Sequence, residues 1–245
     1  LPLTGDRTPV RLIAGDNGQS SHSQISPDGK WIAYNAGGNI WVRGFPEGAK
    51  AVQVSVENGL FPRWRADGRE IYYTSAQSFG MIMAAAVTPT ADSVEVAKPQ
   101  PLFDSEYINF GHPSNYHTFA VSPDGQRFLI PRPEPDTLVV LDREGVSRTL
   151  HTDNWGDPHI SPDGSQVAAI RGNRSVWVMD IATGDRRQIG ALRGPQDFAV
   201  SLYWPRHAEQ VAYIALDLAI GKDVLYLADA DGRAEPKQLR TFEGI

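Results

Sequence analysis

The residues able to do chemistry are scattered along this chain, and their spacing excludes most of the familiar catalytic arrangements. Six histidines occur, His22, His112, His117, His151, His159 and His207, and none has the spacing that sets a pair of metal ligands on one helix face. There is no HExxH, no GxSxG nucleophile elbow, no kinase glycine-rich loop, and no HRD or DFG sequence. Gly221-Lys222 lacks the preceding Gly and following Ser/Thr of a phosphate-binding loop. Asp229-Ala230-Asp231-Gly232 alternates carboxylates as a calcium loop does, but the downstream Glu is missing, so a plain hairpin turn is expected. With no cysteine, disulfides and thiolate zinc sites are ruled out. The expectation is a protein that is not an enzyme and needs no metal or cofactor. The candidate binding residues are His22, Arg63, His117, Trp155, Asp157 and His159. Up to 137 residues apart, they form a site only if the fold gathers them.

A repeat supplies the means. Ser26-Pro27-Asp28-Gly29 recurs as Ser122-Pro123-Asp124-Gly125 and Ser161-Pro162-Asp163-Gly164, with a weaker copy at Arg65-Ala66-Asp67-Gly68. Each copy follows a large apolar residue and precedes a short β-prone run such as Trp31-Ile32-Ala33-Tyr34 or Val167-Ala168-Ala169-Ile170. A fifth, decayed copy aligns through Gln210-Val211-Ala212-Tyr213-Ile214, which makes Trp204 its leading apolar residue. The five anchors, Ile25, Trp64, Val121, Ile160 and Trp204, are spaced by 39, 57, 39 and 44 residues. Three of these spacings fit the period of about 40–45 residues of a four-stranded propeller blade. The long one implies an insertion within residues 85–118. In the turn, Pro presets φ, Asp bonds the backbone beyond it, and Gly accepts positive φ, so the motif reads as a structural hairpin.

Each repeat continues into a third strand, as at Asn39–Val42, Met81–Ala84, Leu138–Leu141, Val176–Met179 and Val224–Leu227, and then a short fourth. No long amphipathic helix is expected. The chain therefore reads as all-β, a single β-propeller of four-stranded antiparallel blades at 22–56, 57–104, 105–152, 153–192 and 193–242. Residues 1–14 supply half of a sixth blade, from Leu1-Pro2-Leu3 and Val10-Arg11-Leu12-Ile13.

In a propeller the innermost strands line a central tunnel, so the anchors index positions around one axis. His22 and Asp157 sit three residues before an anchor, Arg63 and His159 one before, and His117 lies in the lead-in to the third blade. These side chains are expected to converge at the tunnel rim. Trp155 lies in the polar stretch Thr152–Asp157 and serves either as an exposed binding anchor or as a cap folded over the tunnel. The stretch from Phe103 to His117, rich in aromatic and polar groups, is expected to carry recognition as a long loop on a rigid scaffold.

Composition narrows the partner. The net charge of −6 and pI near 5.5, with no Lys/Arg block, argue against nucleic acid. No apolar run reaches membrane-spanning length. The start at Leu1 shows neither an initiator Met nor a signal-peptide pattern, so the chain reads as a mature or excised piece. A protein, a peptide or a small molecule at the tunnel mouth remains.

The unit Ser26-Pro27-Asp28-Gly29-Lys30-Trp31-Ile32-Ala33-Tyr34 resembles the repeats of TolB-like six-bladed propellers, which also occur in the propellers of prolyl-oligopeptidase-type peptidases and tricorn-like proteases. Over residues 1–132 the likeness is closer to the propellers attached to some bacterial Ser/Thr kinases. It rests on Trp41-Val42-Arg43-Gly44-Phe45-Pro46, Pro62-Arg63-Trp64, Pro99–Asp104 and Val121–Leu129. The resemblance implies a sensor or interaction module of a larger bacterial protein, periplasmic or extracellular. The alternative it implies is the substrate-gating propeller of a peptidase.

Overall fold

The structure is a computed structural model, and it describes residues 21–46, 50–78, 80–90, 92–105, 119–132, 137–152, 155–192, 198–205 and 209–243. The expected half blade at 1–14, His117 and most of the Phe103–His117 stretch lie outside these residues.

Among the described residues five antiparallel sheets follow one another along the chain. The first is β1 (Ser21–Ile25), β2 (Trp31–Ala36), β3 (Asn39–Gly44) and β4 (Val52–Gln53). The second is β5 (Gly59–Trp64), β6 (Glu70–Ser75), β7 (Met81–Pro89), β8 (Val94–Val96) and β9 (Gln100–Asp104). Then come β10 (Ala120–Val121), β11 (Arg127–Arg132), β12 (Thr137–Asp142) and β13 (Ser147–Thr152). The fourth sheet is β14 (Trp155–Ile160), β15 (Gln166–Arg171), β16 (Ser175–Asp180) and β17 (Arg186–Ala191). The fifth is β18 (Phe198–Tyr203), β19 (Gln210–Asp217), β20 (Lys222–Asp229) and β21 (Lys237–Glu243). Every sheet is a meander, and the first strand of each packs against the first strand of the next: β1 on β5, β5 on β10, β10 on β14 and β14 on β18. That is the radial stacking of propeller blades, with β1, β5, β10, β14 and β18 innermost. No α-helix occurs among the described residues, and none there is long and apolar enough to cross a membrane.

The hairpin chemistry accounts for the repeat. Gly29, Gly68, Gly125 and Gly164 all hold φ between 72° and 76°, a region that a Cβ disfavours. Asp28 Oδ1 accepts the Lys30 N–H at 3.1 Å, and Asp124 and Asp163 accept the equivalent amides. The serine does more than fill a corner. Ser26 Oγ donates to Asp28 Oδ1 at 2.6 Å while accepting the Trp31 N–H at 2.9 Å, which ties turn and second strand together. Ser161 does the same with Asp163 and the Gln166 N–H. In the copy that lacks serine, Arg65 replaces it and grips Asp67 with two contacts of 2.8 Å.

Among the described residues four apolar cores lie between successive blades. The first packs Trp31, Ile40 and Val42 against Trp64, Ile71 and Tyr73. The last packs Val176 and Val178 against Trp204, Val211 and Tyr213. The long repeat has a structural explanation in part. Strand β7 runs nine residues, its first half pairing with β9 and its second half with the extra strand β8. Val94 of β8 is buried in the core between blades one and two, so the added hairpin buttresses that junction.

Candidate functional site

All five anchors meet at one cavity. Ile25, Trp64, Val121, Ile160 and Trp204 line a space of about 340 Å³, together with the residue before each of them: Gln24, Arg63, Ala120, His159 and Tyr203. Pro27, Pro123 and Pro162, the second residues of the hairpins, complete its rim. The cavity is thus the tunnel mouth at the hairpin end of the innermost strands. Its wall mixes polar and apolar surface, and two bulky side chains stay in water there, Ile25 at 45% and Tyr203 at 53% exposure.

A repeated backbone irregularity shapes the inner strands. His22, Phe61 and Asp157 each hold positive φ, at 50°, 56° and 46°. Each lies three residues before its anchor, where the pairing of inner and second strand shifts register: Ser21/Gln24, Leu60/Arg63 and Gly156/His159. Positive φ in a non-glycine residue costs on the order of 1 kcal/mol or more, so the surrounding structure must enforce it. A bulge re-aims side chains, and the residues two beyond these positions, Gln24, Arg63 and His159, line the cavity.

These side chains tie blade to blade. His22 packs edge-on against Phe61, with ring centroids 4.2 Å apart. Gln24 Oε1 accepts the Trp64 N–H at 2.6 Å, and its backbone carbonyl accepts the indole N–H of the same residue at 3.2 Å. Arg63 is buried on β5. Its Nε donates to the Phe119 carbonyl at 3.1 Å, Nη1 donates to the Pro62 carbonyl at 3.0 Å, and the guanidinium stands over the Phe119 ring. Across the axis, Asp157 Oδ2 accepts the Leu202 N–H at 2.5 Å, joining blades four and five. His159 Nε2 lies 3.5 Å from Asp157 Oδ1, and its ring meets Tyr203 edge-on.

Electrostatics follow from this crowding. Burial pushes the Arg63 guanidinium down to about 10, and the Asp157 charge only partly opposes it. Burial, and then the nearby Arg63 charge, hold His22 below the usual histidine range. Both effects disfavour added positive charge at the axis. Among the described residues no group of three or more His, Cys, Asp or Glu side chains is placed to hold a metal ion.

Of the six sequence-derived candidates, His22, Arg63, Asp157 and His159 lie together around the axis, with Arg63 and His159 facing the cavity. Trp155 does not join them, and its reading as an exposed anchor is corrected. It sits at the start of β14, away from the hairpin end, and is only 4% exposed in the core between blades three and four. There it meets Trp177 edge-on at 6.2 Å, with Arg171 and Arg186 over its ring. The polar loop suggested exposure, but a full indole is too large an apolar surface to leave in water when a core lies beside it. Sequence reasoning missed Gln24 and Tyr203. Both hold the position one before an anchor that had already singled out Arg63 and His159.

No family model and no curated protein matches this chain. Solved structures do. A putative TolB from Agrobacterium tumefaciens superposes with a TM-score of 0.68 at 16% identity, covering 94% of this chain and 83% of that one. An oligogalacturonate lyase in complex with manganese follows at 0.64 and 14%, covering 89% of this chain and 64% of the lyase. Oligogalacturonate lyase from Vibrio parahaemolyticus follows at 0.63 and 16%, with the same coverage. At these identities the likeness concerns the fold alone: the chain folds as a β-propeller similar to that of the putative TolB, with four four-stranded blades and one carrying a fifth strand among the described residues.

Proposed function

We propose that this propeller is a binding module without a catalytic centre of its own, holding a protein, peptide or small molecule at the tunnel mouth. The observation behind this reading is the convergence of five blades on one cavity whose wall mixes polar and apolar groups and whose rim keeps Ile25 and Tyr203 exposed. A concave pocket that sets convergent polar groups among apolar and aromatic side chains is the usual form of a ligand site. On the sequence resemblance, the module belongs to a larger bacterial protein, serves sensing or interaction outside the cytoplasm, and is attached as in the kinase-linked propellers.

Ile25→Glu and Tyr203→Ala change exposed side chains at the rim, so both variants are expected to fold as the wild type does. Each is expected to weaken capture of the natural partner about tenfold or more, the scale of a hot-spot contact. Wild-type affinity in both, by calorimetry on the captured partner, overturns the site.

A second reading is enzymatic. Two structural neighbours are oligogalacturonate lyases, and His22, Arg63, Asp157 and His159 gather at the axis. Unsaturated products from oligogalacturonate incubated with the purified chain would replace the binding-module reading with this one.

A further inference from the structure

The residues one before each anchor put five different side chains into the cavity wall: Gln24, Arg63, Ala120, His159 and Tyr203. Two of the four polar ones are engaged by the protein itself. Arg63 donates to the Phe119 and Pro62 carbonyls, and the Asp157 carboxylate acts on its charge. His159 faces the same carboxylate at 3.5 Å. Arg63 and Asp157 are thus opposite charges matched within the fold, and no ionic ligand is needed to balance them.

Gln24 is different. Its Oε1 accepts the Trp64 backbone N–H at 2.6 Å. A backbone N–H can only donate, so it fixes which end of the amide is the oxygen, and the other end is the NH2 group. Among the described residues that nitrogen makes no hydrogen bond, and it is not one of the buried atoms closed to water. The amide is therefore gripped at one end and offers two donor hydrogens at a cavity of about 340 Å³. A side chain held before binding loses little freedom when a ligand arrives.

The surroundings narrow what those donors take. Ile25, Val121, Ile160, Pro27 and Pro162 stand around the same space, and no Asp or Glu lines it among the described residues. A sugar brings hydroxyl hydrogens that need acceptors, and no carboxylate stands in this wall to take them. An amide carbonyl is neutral and only accepts, and in a polypeptide it lies beside a side chain that can be aliphatic. It answers the NH2 group and the aliphatic wall together.

Resting on the reading of this mouth as the binding site, we propose that Gln24 sets its specificity: the Nε2 hydrogens take a backbone carbonyl of an uncharged stretch of polypeptide, whose apolar side chain packs against Ile25 and Ile160.

The test is titration of ¹⁵N-labelled protein with acetyl-Gly-Leu-Gly-amide, blocked at both ends, and with cellobiose. The spectrum shows side-chain NH2 groups directly, and the Gln24 pair is identified by its loss in Gln24→Glu. With the peptide, that pair is expected to move together with the backbone signals of Ile25 and Ile160, and the affinity to be alike at low and high salt. Gln24→Glu keeps an oxygen for the Trp64 N–H and turns the donor end into an acceptor. It is expected to leave the Trp64 backbone signal in place and to weaken the peptide about tenfold or more, the scale of a hydrogen bond replaced by two facing oxygens. If the Trp64 signal moves in that variant, the NH2 pair of the wild-type protein decides by itself. An NH2 pair that stays still while the Ile25 and Ile160 signals move, or wild-type peptide affinity in Gln24→Glu with Trp64 undisturbed, overturns the role of Gln24 and leaves the mouth as the site. Affinity that falls steeply with salt overturns the uncharged ligand, and tighter binding of cellobiose overturns the polypeptide. If no mouth signal moves with either probe, the proposal fails, and the rim variants with the natural partner then decide the site by themselves.

Discussion

Phe128→Ala is expected to cost about 3–5 kcal/mol of unfolding free energy, the range for emptying a buried aromatic site. Phe128 is fully buried on β11 and is the hub of an aromatic cluster between blades two and three. Tyr72 and Phe103 meet it edge-on at 5.2 and 5.1 Å, and Phe119 lies 6.4 Å away. Neighbours held in two separate sheets cannot collapse far into the space, so most of the cavity would persist. Against a typical domain stability of about 5–15 kcal/mol, the loss is large. Urea unfolding should show a lower midpoint with an unchanged slope. The change should also reach the site, because Phe119 carries both the ring under Arg63 and the carbonyl that accepts its Nε–H. A loss below about 1 kcal/mol would mean that blades two and three do not share this core.

Glu70→Ala is expected to cost about 3 kcal/mol, since removing one partner of a buried ion pair strands the others. Glu70 on β6 is 9% exposed and serves both blades of the same junction. Arg143 of blade three reaches it at 2.6 Å, Arg65 of blade two at 2.9 Å, and the Tyr72 hydroxyl donates at 2.7 Å. Both arginines are about a quarter exposed and can rehydrate, which places the cost at the lower end of the range. Burial works against ionisation of Glu70, but the hydrogen bonds from Arg143 and Tyr72 and the charges of Arg143 and Arg65 outweigh it. Its pKa therefore lies below the usual glutamate range. A depressed carboxylate contributes stability in full above its unfolded pKa, about 4.3, and loses it as the pH falls through the folded value. The stability gap between wild type and Glu70→Gln should be flat above about pH 5 and narrow below about pH 4. A gap that widens on acidification would contradict the pairing.

The parts of this fold that were legible in the sequence were those enforced locally. Pro, Asp and Gly specify a hairpin from within four residues, and four copies, two of their three spacings equal at 39 residues, expose the blade. The anchors worked for the same reason: each is tied to its hairpin, and a radial stack brings equivalent positions to one axis. The position one before the anchor was legible in Arg63 and His159, whose charges draw attention, and illegible in Gln24 and Tyr203, which needed the geometric rule itself. What depended on contacts between blades could not be read. Trp155 took its place from a neighbouring core, not from its polar loop. The role of Arg65 as a stand-in for the turn serine emerges only when Asp67 is seen in its grip. The β8 hairpin was hidden inside an over-long spacing because its strand is only three residues long and Val94 is buried by another blade.

The absence of native cysteine allows the location of binding to be tested by occlusion. Ile25→Cys and Leu239→Cys place single thiols at two exposed apolar positions, one at the tunnel mouth and one on the outer strand β21 of blade five. Each is coupled to a bulky maleimide, and affinity for the partner captured by the wild-type chain is measured before and after coupling. Coupling at position 25 is predicted to abolish binding, and coupling at position 239 to leave it unchanged. Undiminished binding by the protein blocked at position 25 would contradict a ligand site at the convergence of the five blades.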